Sequence, residues 1–330
     1  MAEHDADVIQ MRQAGRTYAE IAAALNLTEK QVNHSINRTR KKQRIEYEDK
    51  KEYTDADISD YITTMIDLQS RREKIDTKQV KASIRLNEDK PIGVAYWGDW
   101  HLGAAGVNYQ AFDEDVRKIR DTEGLYFIGA GDYKDNYITG THPGAQFEQI
   151  IQPGMQDLTV KHYMAQVADK CLALIRGCHD DWNKKATDTD FIENLCYITD
   201  AVNLWHGGEL NIKIGDENYF WRCRHKYKYQ SSLNLENAMR RIMEIQGPCD
   251  VAAEAHLHNG YVMKRHMMGE YRVMLRSGTY KIWDEYGQKL AGYKGKPSVP
   301  VVIMFPGRHT MLEELFLDDA IEILKGLRKC

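Results

Sequence analysis

Three short apolar runs in this chain stop at the same punctuation, a glycine followed at once by side chains that can hold a metal ion. Ile92 to Trp97 ends at Gly98-Asp99, Leu125 to Ala130 at Gly131-Asp132, and Cys171 to Arg176 at Gly177-Cys178-His179. Runs this short, separated by helical stretches at Tyr109 to Arg120 and Leu158 to Lys170, predict buried strands of an α/β sheet. Ligands of an open α/β sheet bind just beyond the C-terminal ends of its strands. The polar residues after each run are therefore expected at one common edge. Downstream, a helix over Leu233 to Ile245 leads to a strand over Asp250 to Ala255, which ends at His256-Leu257-His258. Tyr261 to His266, Tyr271 to Arg276 and Val301 to Met304 are expected as strands of a second sheet.

Imidazole nitrogens and carboxylate oxygens are ligands of borderline divalent metals. Two such ions a few Å apart clamp the attacking and leaving oxygens of a phosphoryl transfer. Asp99, His101, Asp132, His179, Asp180, His225, His256 and His258 offer such donors in five short stretches. A histidine at a strand end is often an ordinary surface or core group, and His225 alone would carry no weight. The ordered set carries the argument.

That order, D-x-H, GD, GNH[D/E], H, GHxH, resembles the calcineurin-like metallophosphoesterase superfamily. The chain reads Asp99-x-His101, Gly131-Asp132, Gly177-Cys178-His179-Asp180, His225 and Ala255-His256-Leu257-His258, and the resemblance spans about Pro91 to Pro306. It implies a four-layer α/β/β/α sandwich and two divalent metal ions. Asp99, His101 and His258 would hold the first ion, and His225 and His256 the second. Asp132 would bridge them, one oxygen facing each. His179 would act on the scissile phosphate as general acid, with Asp180 as the carboxylate that orients it and a metal-bound hydroxide as nucleophile.

The chain departs from the pattern in two places. Cys178 stands where the family has an asparagine ligand, and Ala255 replaces a glycine. Manganese is the metal expected first, but a thiolate is softer than an amide oxygen and would favour zinc or iron. Two alternatives stay open: Cys178 remains a thiol beside a weakly held second ion, or the site is partly degenerate. Asp135 and Asn136, close after Asp132, are candidate supports. His142 is a candidate for the site opening, whereas His162, His206, His266 and His309 are expected to be structural. Tyr133, Tyr137, Trp182, Tyr227 and Tyr229 follow the motifs closely and are expected as packing more than as base-stacking platforms.

Ahead of this domain, residues 1–43 read as a separate helical module. Asp5 to Ala14 forms one helix. Thr17 and Glu20 make a capping box that opens a second helix over Tyr18 to Leu25, and Thr28 caps a third. The segment resembles the helix-turn-helix of sigma factors and transposase-type DNA binders. Its third helix would then enter the major groove, with Lys30, Gln31, Asn33, His34, Asn37 and Arg38 as candidate contacts and Arg40 and Lys41 at its basic end. The competing use is protein binding or dimerisation. Residues 44–90 are charged and nearly free of Gly and Pro, with apolar residues from Ile58 to Leu68 at helical spacing. They are expected as a helical connector and a candidate homodimer seam. Residues 91–330 form the third segment.

A net charge of −4 argues against a protein that coats nucleic acid through bulk charge, though not against a local basic face. The six cysteines form no CxxC pair, no apolar run is long enough for a membrane, and the start is no signal peptide. A cytoplasmic protein is expected, in the host cytoplasm if it is phage-encoded. Chains pairing these two modules look like those of phages and other mobile elements. The functional expectations rank as follows: a DNA-hydrolysing phosphodiesterase (nuclease), as in the superfamily's DNA-repair branch; a phosphomonoesterase acting on a phosphoprotein or nucleotide; and a non-catalytic DNA-binding protein with a damaged site.

Overall fold

The computed structural model describes residues 4–44, 54–76, 80–138, 140–141, 144–289 and 297–329. The backbone divides into two units, Met1–Ile75 and Asp76–Cys330.

The first unit opens with three helices, α1 (Asp5–Gln13), α2 (Tyr18–Leu25) and α3 (Glu29–Arg44). The expected capping box is present: Glu20 N donates to Thr17 Oγ1, and Glu20 Oε2 accepts from Thr17 N at 2.7 Å. A second reciprocal pair starts α3, where Thr28 N donates to Gln31 Oε1 at 2.7 Å and Gln31 N to Thr28 Oγ1. Between them Asn26 takes a left-handed conformation and ends α2. Val8, Ile21, Ala22, Val32 and Ile36 bury one another at the centre. The helix α4 (Asp55–Ile75) leaves Ile58, Tyr61, Met65 and Leu68 exposed.

The second unit holds two six-stranded sheets. In chain order its elements are β1 (Lys81–Leu86), β2 (Ile92–Trp97), α5 (Tyr109–Asp121), β3 (Leu125–Gly129), α6 (Pro153–Gln166), β4 (Cys171–Leu174), α7 (Asp180–Thr187), α8 (Phe191–Thr199), β5 (Val202–Asn203), β6 (Gly207–Ile214) and β7 (Glu217–Arg224). Then come α9 (Asn237–Gln246), β8 (Val251–Glu254), β9 (Tyr261–Met267), β10 (Glu270–Arg276), α10 (Glu285–Lys289), β11 (Val301–Met304), β12 (Met311–Glu314) and α11 (Leu317–Lys329). One sheet runs β12-β11-β2-β3-β4-β5 and the other β1-β6-β7-β8-β10-β9.

The two sheets share an apolar layer. Leu210, Ile212 and Ile214 of β6 and Tyr219, Trp221 and Cys223 of β7 alternate inward, as a pleated strand requires, and meet Val94, Tyr96 and Val302 of the first sheet. The outer face of the first sheet packs Trp97 and Phe127 against Phe112, Val160, Leu195 and Leu324 of α5, α6, α8 and α11. Met239 and Met243 of α9 cover Ala252 and Met274 on the outer face of the second. This is the four-layer α/β/β/α sandwich expected of a metallophosphoesterase.

Two sequence expectations are corrected and one element is added. The strands of the second unit start at Lys81 and not after Pro91, because the alternating KASIRL pairs in parallel with β6 of the second sheet and turns Ala82, Ile84 and Leu86 to the core. Within 44–90 the expected helix is present as Asp55–Ile75, but the segment ends in a strand. Val301–Met304 does not join the second sheet; it pairs antiparallel with β2 in the first. The β6–β7 hairpin was not anticipated at all, although its alternation around Gly215-Asp216 is a hairpin signal.

Candidate metal centre

The expected donors converge where the strands end. Asp99 follows β2, Asp132 follows β3, His179 follows β4, His225 follows β7 and His256 follows β8. Asp99, His101, Asp132, His256 and His258 all have positive φ, between 48° and 76°. Left-handed backbone is uncommon for residues with a side chain and clusters at functional sites. Glycine permits the close approach of the loops. A Cβ on Gly177 would lie 2.1 Å from both Asp132 N and Asp132 Oδ1.

Four overlapping groups of donors form among the described residues, each with its atoms within 4.8 Å: Asp99, His101 and His258 in the first, Cys178, His225 and His256 in the second, and two more that share Asp132, one with His101 and His179 and one with Asp99 and His225. In the first, His101 Nε2 and His258 Nε2 face each other at 3.0 Å, and His258 Nε2 lies 3.5 Å from Asp99 Oδ1. Asp99 Oδ1 is buried without a hydrogen bond to any described residue. In the second, Cys178 Sγ lies 3.8 Å from His256 Nδ1. Facing imidazoles and an unbonded buried carboxylate oxygen are costly without a shared cation, so the donor set fits metal ions.

Asp132 sits between the groups, with Oδ2 3.1 Å from His225 Nε2 and 4.0 Å from His101 Nε2. Its other oxygen, Oδ1, accepts from His179 N at 2.8 Å. The expectation of one oxygen per ion is thus corrected: a single oxygen faces both groups, and the second anchors the His179 loop.

Hydrogen bonds set the ring orientations. His225 Nδ1 lies 2.8 Å from the Ala130 carbonyl, which leaves Nε2 for the site. His101 Nδ1 points at Asp135 Oδ1, 3.3 Å away. Asp135 in turn accepts from the buried Lys281 Nζ at 3.0 Å, and Lys281 also pairs with Asp284.

His179 is partly exposed beside these groups. Its Nδ1 lies 2.5 Å from the main-chain carbonyl of Asp135. Its ring is 4.2 Å from that of Trp182 and 5.2 Å from that of Tyr137, centroid to centroid. Asp180 does not orient it. Asp180 Oδ2 instead accepts from Asp132 N at 2.8 Å and Gly177 N at 2.9 Å, tying two loops of the site together. The side chain of a residue in the first turn of α7 turns back to main-chain N–H groups and away from the preceding imidazole. Asn136 supports His179 from below, its Nδ2 donating to the His179 carbonyl at 2.6 Å.

Charge is distributed unevenly. Burial, with help from Asp132, raises Asp99 and Asp180 to about 7. Burial also acts to raise Asp132, but the charge of His225 wins and holds it well below its ordinary value. His225 is raised well above the usual range, since its attraction to Asp132 outweighs burial. Burial lowers His179 to about 4 and His256 to about 3. Burial thus favours the neutral form of His179, His256 and His258, whereas His225 keeps a proton whose charge offsets that of Asp132.

Tyr133 is core packing, as expected, while Tyr137 and Trp182 flank His179. Lys281 and Gln156, whose Oε1 accepts from Asn136 N at 2.8 Å, were missed; no motif spacing marks them. His142 lies outside the described residues. In the first unit, Lys30, Gln31, Asn33, His34, Asn37, Arg40 and Lys41 are exposed on α3. Arg38 is half-buried and donates from Nε to Asp5 Oδ2 at 2.8 Å.

Fold and donor set together give an α/β/β/α sandwich with buried Asp and His groups at its strand ends that could hold metal ions. No family model matches the sequence, and no curated protein does. Among solved structures, Chaetomium thermophilum Vps29 is similar at a TM-score of 0.36 and 12% identity, over 68% of this chain and 96% of that one. Thermus thermophilus sulfate thiohydrolase SoxB, in complex with glycerol, is similar at a TM-score of 0.37 and 10% identity, over 74% of this chain and 60% of that one. Among the described residues no helix is long and apolar enough to cross a membrane.

Proposed function

We propose that the chain is a metal-dependent phosphodiesterase that hydrolyses DNA. The observation that carries this is Asp132 Oδ2 standing between two groups of donors, with the His179 ring beside them. Two divalent ions held there would supply Lewis acidity to phosphoryl oxygens and lower the pKa of water. The chain's own residues do the rest. The Asp135 carbonyl would hold the Nδ1 proton of His179 and leave Nε2 for the phosphate. Because burial favours neutral His179 in the free protein, its second proton would be taken up from solvent when an anionic substrate binds, since that charge favours the imidazolium. That proton would then pass to the leaving oxygen.

A nucleic-acid substrate is favoured by the loop after His225. Lys226 and Lys228 are exposed there beside the half-buried rings of Tyr227 and Tyr229. Lys228 Nζ lies 4.8 Å from the Tyr229 ring centroid, and the Arg224 guanidinium 5.7 Å from that of Tyr227. Charge interleaved with aromatic faces suits a nucleic-acid strand. The exposed face of α3 in the first unit would bind duplex.

The test is hydrolysis of bis-p-nitrophenyl phosphate against p-nitrophenyl phosphate by metal-free protein supplied with manganese, zinc or iron. Diester turnover that disappears in His179→Ala, with metal content unchanged, is the expected result. Turnover of the monoester alone would replace this proposal with a phosphomonoesterase.

A further inference from the structure

Cys178 has a different environment from the chain's other described cysteines. Cys171, Cys196, Cys223 and Cys249 are buried in apolar layers, and burial raises all four thiols. Cys178 is half-buried, and its sulfur belongs to one compact group with the imidazoles of His225 and His256. Its place is fixed from both sides: Gly177 N donates to Asp180 and His179 N to Asp132. The 3.8 Å between Cys178 Sγ and His256 Nδ1 suits two donors on one ion, given metal–sulfur and metal–nitrogen bonds of about 2.3 and 2.0 Å. His225 Nε2, its other nitrogen tied to Ala130, completes the group and touches Asp132 Oδ2.

The ligand chemistry of the two positions is therefore unequal. One has two imidazoles and Asp99, with a share of Asp132. The other has two imidazoles and a sulfur, with the other share of Asp132. A thiolate there would add a third anionic ligand to Asp99 and Asp132 against two divalent ions. An amide oxygen in its place would add no charge.

We infer that Cys178 is a ligand of the second ion and makes that position selective for a thiophilic divalent metal such as zinc over manganese or magnesium. The inference deepens the two-metal reading of the site and rests on it. Soft thiolate donors select zinc and its like, whereas carboxylate and carbonyl donors suit manganese and magnesium.

The test is a Co²⁺ titration of the full-length, metal-free protein, read by absorption and without substrate. Two equivalents should bind, and one should bring a near-ultraviolet sulfur-to-cobalt charge-transfer band. Cys178→Ser and Cys178→Asn should lose that band and bind this equivalent at least about tenfold more weakly. They should keep the other equivalent, which also shows that they fold. In zinc–manganese competition the wild type should retain zinc at this position, and Cys178→Asn should shift towards manganese. A band that survives in both variants, a wild type with two equivalents and no band, or a single equivalent bound would overturn the inference. Hydrolysis plays no part in the readout: the band with no diester turnover would sink the phosphodiesterase proposal alone, and turnover without the band would sink this inference alone.

Discussion

The imidazole of His179 is held by the main-chain carbonyl of Asp135, 2.5 Å from Nδ1, while the carboxylate of Asp180 next to it in sequence binds main-chain N–H groups. A carbonyl tied into the Asp132–Asn136 loop positions the ring without adding a charge next to it. The residue that orients the candidate acid is therefore set by backbone geometry, and several consequences can be measured.

Replacing Asp180 separates the two roles. Asp180→Asn keeps an oxygen that can accept from Asp132 N and Gly177 N, so diester turnover should stay within about tenfold and its pH profile should not move. Asp180→Ala leaves two buried N–H groups without that partner and should cost about 1–3 kcal/mol of stability for each in denaturant titration. A loss of several orders of magnitude in kcat for Asp180→Asn, with stability intact, would restore Asp180 as the orienting carboxylate.

Asp135 faces His101 Nδ1 at 3.3 Å and also holds Lys281. Removing such a carboxylate behind a ligating histidine typically weakens metal binding by about 10–100-fold. Asp135→Asn should do so for the ion at Asp99, His101 and His258, read by calorimetric titration with manganese. Equal affinity in variant and wild type would show that His101 needs no carboxylate behind it.

The capping box of α2 should be sensitive to acid. Glu20 is lowered from 4.5 chiefly by the hydrogen bond from the Thr17 main chain. A carboxyl with a depressed folded pKa contributes stability that is fully present above its unfolded value and lost as pH falls through the folded one. Amide exchange in α2 of the whole chain should therefore speed up, relative to α1, as pH drops below 4.5. Thr17→Ala should cost about 1 kcal/mol near neutral pH, and this difference should shrink in acid. A pH-independent difference would mean that Glu20 contributes nothing to the cap.

Arg38 and Arg40 lie two residues apart on α3 but should behave differently. Arg38 pairs with Asp5 across the module, so Arg38→Ala should lower the melting temperature of the first unit. Arg40 is exposed, so Arg40→Ala should leave melting unchanged and reduce the salt slope of duplex binding by about one. An unchanged slope would remove Arg40 from the phosphate contacts.

The candidate ligands were legible because their signal is local. A strand, a glycine and a donor fit within a few consecutive residues, and the sheet edge gathers them whatever the intervening helices do. Asp99, His101, Asp132, Cys178, His225, His256 and His258 therefore all reach the site that their spacing suggested. The capping box at Thr17 and the cap at Thr28 were equally local, each joining residues three apart.

What the sequence could not decide depends on long-range geometry. Nothing in VVIM says that β11 returns to pair with β2 after five strands of the other sheet, or that β1 lies beside β6. Both pairings depend on which apolar layer each strand can bury. The turn of the Asp180 side chain away from His179 follows from the helical start at α7, and the role of Asp135 from a carbonyl far from His179 in sequence. Motif spacing determined which residues meet at this site, but only the folded backbone decided which hydrogen bonds hold them there.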